Sequence, residues 1–138
     1  MEIAPIITHC CHCRDCQRVS GSAFRVNAMI ETDRLTISQG EPVRFEAVAC
    51  HPAVQCPDCR STLWSFHPRL GPAIAIVGVG MLDEGERLPP EAHYFTRSKH
   101  GWVNVPPDLP AFTELGRPPK PGAGERIAAA LAKAPASA

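Results

Sequence analysis

Neither sign of charge predominates in this sequence. Across 138 residues, 14 Lys+Arg offset 14 Asp+Glu, a formal net charge of zero. A neutral chain has no overall pull toward a phosphate backbone or an anionic membrane surface, so neither nucleic acid nor membrane is an expected partner. No apolar run approaches the roughly 18–20 residues that cross a bilayer. Residues 1–9 lack a basic region followed by a long apolar one, which argues against a secretory signal and for a cytoplasmic location. Internal repeats are absent. Long helical patterns are scarce as well, because 15 prolines and 10 glycines interrupt them. The length suits one domain, and the 44% hydrophobic content is ordinary for a globular protein.

What the chain does have is cysteine in tight knots. There are seven, an odd number. Cys10, Cys11, Cys13 and Cys16 fall in T-H-C-C-H-C-R-D-C-Q, and Cys56 and Cys59 in Q-C-P-D-C-R. Disulfides need Cα separations of about 4.4–6.8 Å and compatible Cβ directions, which near-adjacent cysteines seldom offer one another. In a chain without a signal, C-x-C-x-x-C and C-x-x-C point to a soft metal, zinc first. No βαβ pattern surrounds either C-x-x-C, so a thioredoxin-like role is not expected.

Three thiolates from Cys11, Cys13 and Cys16 would leave a tetrahedral zinc one open position. Zinc with three thiolates carries a formal charge of −1, so it acidifies water less well than zinc on three neutral imidazoles. It still accepts a soft fourth ligand, so thiol chemistry is expected over hydrolysis. The alternative is a closed structural knuckle with Cys10, His9 or His12 as fourth ligand.

Short β-type runs are expected over residues 24–30, 35–38, 43–48, 62–66, 73–79 and 92–96, with 73–79 the most apolar and central. A short helical turn is expected after Cys13. The result is a mainly β single zinc-binding domain over residues 1–116. Residues 117–138 begin with R-P-P-K-P-G-A-G and read as a Pro/Gly/Ala-rich tail, with a short Ala-rich helix starting at Glu125. A helix this short is marginal alone, so a mobile tail or a loosely docked helix is expected.

Five stretches in order resemble one family: H-C-R-D-C-Q-R-V-S-G-S-A-F, G-E-P-V-R-F, C-P-D-C with L-W-S-F, L-P-P-E-A-H-Y-F, and D-L-P-A-F. Together they are similar to the glutathione-dependent formaldehyde-activating (GFA) family, also called the CENP-V/GFA domain, over about residues 6–112. The resemblance implies a mostly β, tent-like zinc fold. It implies carbon–sulfur lyase chemistry, the reversible addition of glutathione to formaldehyde giving S-hydroxymethylglutathione. It places a reactive zinc on Cys11, Cys13 and Cys16, and half of a structural zinc site on Cys56 and Cys59. The family's opening C-x-C-G hairpin, which supplies the other half, has no counterpart here; Cys10, Cys50 or His51 could complete the shell, or the two half-clusters could share one metal. Arg60 stands where the family usually has glycine, a strained position if its φ is positive.

The remaining readings are plainer. Cys10 is expected to be a passive thiol and His12 an exposed bystander. Ser20, Gly21 and Ser22 read as a polar turn. Arg14 and Asp15 read either as solvated charges or as contacts to the knuckle or substrate. Trp64, Phe66, Tyr94 and Trp102 read as core or pocket wall. His67, His93 and His100 have no ligand spacing and carry no assigned role. The expected function is a zinc-dependent carbon–sulfur lyase acting on glutathione or a similar thiol and a small aldehyde. The alternative is a non-catalytic zinc-stabilised binding domain. A homo-oligomer is left open.

Overall fold

The computed structural model describes residues 4–46 and 52–135. Its frame is a seven-stranded sheet: β1 (Ile7–Cys11), β2 (Arg25–Glu31), β3 (Val43–Phe45), β4 (Ala53–Gln55), β5 (Thr62–His67), β6 (Gly71–Gly78) and β7 (Ala92–Tyr94). The strand order is β3-β4-β5-β6-β2-β1-β7. Every pairing is antiparallel except that of β1 with β7, which is parallel. Two helices complete the described fold, α1 (Arg14–Ser20) and α2 (Ala123–Lys133). The expected mainly β domain with a short C-terminal helix is what forms.

Side chains alternate across a strand, so register decides which residues share a face. Ile7, His9 and Cys11 of β1 sit opposite Met29, Asn27 and Arg25 of β2. All six line one cavity. Apolar residues at the end away from the cysteines join the main core of Ile6, Ile7, Met29, Ile74, Ala92, Tyr94 and Ala123. On the other face Ile30, Ala75 and Val77 form a second cluster, covered by Leu35, Trp64 and Leu82. β6 is thus apolar on both faces, as expected for a strand inside the sheet.

Some expectations need correction. Residues 35–38 form no strand. Leu35 ends a 3-10 turn over Thr32–Arg34, donating its N–H to the Thr32 carbonyl, and then packs on the second cluster. The run expected over 43–48 is a strand only at Val43–Phe45; Glu46 is outside it, and residues 47 and 48 lie outside the described residues. All three strand residues are exposed, and β3 lies at one edge of the sheet. Trp102 is 74% exposed and belongs to neither core nor cavity wall. β1 and β4 carry no β-rich pattern in the sequence, yet both pair on two sides.

Helix α2 follows Gly122, whose φ of 81° sits in the left-handed region that glycine tolerates. Glu125 in its first turn and Lys133 in its last complement the helix dipole. Ala123, Ile127 and Ala130 pack on the main core. Arg126 clamps Glu31 at the end of β2 through two bonds, 2.8 Å from Nε to Oε1 and 2.6 Å from Nη2 to Oε2. The Glu31 side chain is only 7% exposed. Arg126→Ala should therefore cost about 2 kcal/mol in denaturant unfolding, because it leaves a buried carboxylate unpaired. The Arg126 guanidinium holds the Glu31 carboxyl below its ordinary value. A depressed carboxylate contributes stability above its unfolded pKa and loses it as the pH falls further. Stability should thus decline as the solution is acidified below about 4.5, the ordinary value for this group. The Arg126→Ala variant should show a weaker decline.

Candidate metal centre

The local fold explains why three cysteines meet. Cys11 ends β1 with its side chain on the cavity face. Cys13 is the N-cap of α1, with φ −65° and ψ 155°, and its Sγ accepts the Cys16 N–H at 3.4 Å. Cys16 is the third residue of the helix, so C-x-x-C is the spacing by which an N-cap side chain reaches the amide three positions on. Gly21, with φ 63°, stops the helix after seven residues. One sulfur from each of Cys11, Cys13 and Cys16 lies within 4.8 Å of the other two. Among the described residues this is the one group of three or more such ligands, and it could hold a metal ion.

Three thiols this close cannot all ionise cheaply. Hydrogen bonds from the Cys11 and Cys16 thiols, then the α1 amides, push the Cys13 thiol far below its ordinary value. Cys11 is raised, first by its bond to Cys13, then by its bond to Cys16 and by burial. Cys16 is lowered by Cys11 but raised by more through its bond to Cys13, its burial and the Cys13 charge. The three thiols thus oppose one another's ionisation, and a divalent cation is what would let all three ionise. Asn27 Nδ2 also donates to Cys16 Sγ at 3.7 Å. Two N–H groups aimed at ligand sulfurs, with Asn27 Oδ1 and His9 Nδ1 buried beside them without protein partners, suit a thiolate metal centre.

None of the proposed fourth ligands joins the three. Cys10 points to the opposite face of β1, is 2% exposed, and has a thiol pushed up to about 11 by burial. That environment suits an inert thiol. His9 lines the cavity but stands outside the sulfur group. His12 is not the exposed bystander expected: it is fully buried. Its Nε2 lies 2.9 Å from His93 Nδ1, and the two rings stack at 5.2 Å. Its N–H donates to the Tyr94 carbonyl, and its own carbonyl accepts from Gln17 Nε2 at 2.8 Å. Gln17 also donates to the Ser98 carbonyl and meets His100 Nε2 at 3.1 Å through its Oε1. His12, Gln17, His93 and His100 therefore brace the cysteine loop against β7 and the turn after it. Alternation on β1 could have warned that His12 opposes Cys11 and Cys13; the partners come from some 80 residues away.

Cys56 and Cys59 sit in the turn between β4 and β5. The Arg60 N–H donates to the Cys56 carbonyl, and the Cys56 N–H to the Ser61 carbonyl. Cys59 Sγ and Ser61 Oγ are 3.2 Å apart, and the Ser61 hydroxyl leads the groups that lower the Cys59 thiol. Neither cysteine belongs to the first sulfur group, and no third described ligand joins them. Cys50 and His51, named above as completing ligands, lie outside the described residues. Arg60 has φ 62°, so a non-glycine residue does occupy the left-handed region here, at roughly 1–2 kcal/mol.

The centre opens into a cavity of about 1100 Å³. Phe45, Phe66, Tyr94 and Phe95 are among its lining residues. A cavity of this size takes a small molecule. Among the described residues, no helix is long and apolar enough to cross a membrane.

Fold and site together define a mainly β protein with a three-cysteine centre at one end of a substrate-sized cavity. The family model described as glutathione-dependent formaldehyde-activating enzyme matches residues 1–98, and the chain belongs to that family. No curated protein matches this sequence.

Proposed function

We propose that this protein is a zinc-dependent carbon–sulfur lyase that joins glutathione, or a similar small thiol, to a small aldehyde and splits the adduct in reverse. The observation that carries this reading is the convergence of three cysteine sulfurs, with no fourth described ligand, at the wall of a cavity. Cys11, Cys13 and Cys16 would hold the zinc. A zinc ion held there would lower the pKa of a bound thiol. The chain's own residues do the rest. The α1 amide of Cys16 and the Asn27 amide fix two of the sulfurs. The buried His12–His93 pair fixes the loop between Cys11 and Cys13. The cavity seats the aldehyde beside the sulfurs. In the net reaction a sulfur–carbon bond forms, the carbonyl π pair moves to oxygen, and the proton lost by the thiol ends on that oxygen. Cys56 and Cys59 would supply two ligands of a second, structural zinc site, which with no third described ligand should be vacant or partly occupied.

The test is a calorimetric titration of zinc-loaded protein with glutathione in buffers of different ionisation enthalpy. A thiol that binds as thiolate releases a proton. We expect that proton with the parent protein and with Cys10→Ser, and no binding with Cys16→Ser. Full zinc occupancy without glutathione binding would leave the metal a purely structural role.

A further inference from the structure

The cavity changes character along the sheet. Cys11 pairs with Arg25, the next cavity-facing row sets His9 beside Asn27, and the row beyond sets Ile7 beside Met29 and Met29 beside Ile76. All of these side chains line the cavity. Cys11 and Ile7 are four residues apart, so the apolar row lies about 13 Å along β1 from the sulfur row. Leu70 of the β5–β6 turn and Ile127 of α2 join it there, both packed on the core that holds Ile7 and Met29 and both lining the cavity. Leu70, Ile76 and Ile127 are only partly buried. An apolar surface from the turn, β6 and α2 is therefore left open in the same cavity as the metal centre. Formaldehyde, the aldehyde in the family's description, has no substituent that could reach it.

Gly124 adds an independent observation. It is the second residue of α2 and lines the cavity, and a Cβ at this position would meet no neighbouring heavy atom within 4 Å. Glycine is a poor helix former, so its presence here keeps space open at some cost to the helix. Gly124 and Ile127 are three positions apart and share a helix face. Both lie beyond residues 1–98, so the family match does not account for this end of the cavity.

We propose that this end is a subsite for an apolar tail: the aldehyde added to the thiol carries an alkyl or aryl substituent of roughly six carbons or more, long enough to begin bridging the two rows. This rests on the reading of the site as a thiol-addition centre, and it says which aldehydes enter. The bond changes are those already given. The thiol sulfur bonds the carbonyl carbon, the π pair moves to oxygen and the thiol proton ends there; the tail takes no part. Its burial against Leu70, Ile76 and Ile127 supplies binding that a one-carbon aldehyde cannot gain.

The experiment uses the full zinc-loaded chain and two probes without a free thiol, S-methylglutathione and S-hexylglutathione. The hexyl chain hangs from sulfur as the aldehyde carbon and its tail do in the adduct. S-hexylglutathione should bind at least about tenfold tighter, since each buried methylene contributes several-fold. Gly124→Leu fills the subsite from α2. It should abolish that gain, leave S-methylglutathione unchanged and hold or raise the Tm, because leucine forms helix better than glycine. Leu70→Ala trims the wall from a different element and should remove part of the gain. In turnover with glutathione, hexanal should exceed acetaldehyde about tenfold in kcat/KM, for the same buried methylenes, and lose that lead in Gly124→Leu. S-hexylglutathione no tighter than S-methylglutathione, or a gain that survives both substitutions, would overturn the proposal. The two readings fail separately. If glutathione binds with proton release and chain length makes no difference, thiol capture stands and the tail subsite falls. If the chain-length gain is present and lost in Gly124→Leu, but glutathione releases no proton, the subsite stands and the lyase reading falls.

Discussion

Cys13→Ser should reduce the metal content from at least one zinc per chain to near zero. Two neighbouring thiols and the α1 amides hold the Cys13 thiol below its ordinary value. Cys13 is also the N-cap of α1. Serine caps a helix well, so the substitution keeps α1 while removing the soft ligand. That separates loss of metal from loss of local structure. Affinity should fall by more than about 100-fold, beyond what removal of an outer-shell partner costs. The same thiolate requirement means that acid should release the metal from the parent protein. Cys10→Ser should retain it, since that thiol is buried on the other face of β1. Elemental analysis with thiol counting checks all of this, and Cys59→Ser shows whether a second ion depends on the β4–β5 turn. Fresh protein with no zinc and the Cys11, Cys13 and Cys16 thiols free to react would sink the central claim.

The sulfur cluster was legible because its ligands are local. A strand end, an N-cap and the third helical residue lie within six positions, so spacing alone brings them together. The apolar run of β6 was legible for a similar reason: it is apolar on both faces wherever it pairs. The strand β1 was not, because Thr-His-Cys-Cys has the composition of a ligand loop, and only its pairing with β2 and β7 makes it extended. Residues 35–38 failed the other way, with strand-like composition but no partner strand. The reading of residues 117–138 stopped at composition. Docking of α2 depends on Glu31, 95 positions from Arg126, and no local pattern announces that pair.

His93→Ala should destabilise the fold by about 2–4 kcal/mol and loosen the metal centre as well. His12 is fully buried between Cys11 and Cys13, and its Nε2 has one partner, His93 Nδ1 at 2.9 Å. Its Nδ1 already lacks a protein partner. Removing the His93 ring leaves both His12 nitrogens buried and unpaired, and adds a cavity beside β7. The β7 backbone stays tied, since His93 still donates to the Pro110 carbonyl and accepts from the Phe112 N–H. The damage is therefore confined to the pair and to the loop it braces. Because that loop sets the separation of two sulfurs, zinc affinity should drop by roughly 10–100-fold, the range seen for outer-shell substitutions. A merely structural role would move stability alone. His93→Gln discriminates further: its amide can keep one bond to His12 and should recover part of both losses. Competition with a chromophoric chelator gives the affinity, and denaturant unfolding gives the stability. If His93→Ala leaves zinc affinity at the parent value, the Tyr94 carbonyl and Gln17 amide hold the loop without help from the imidazole pair.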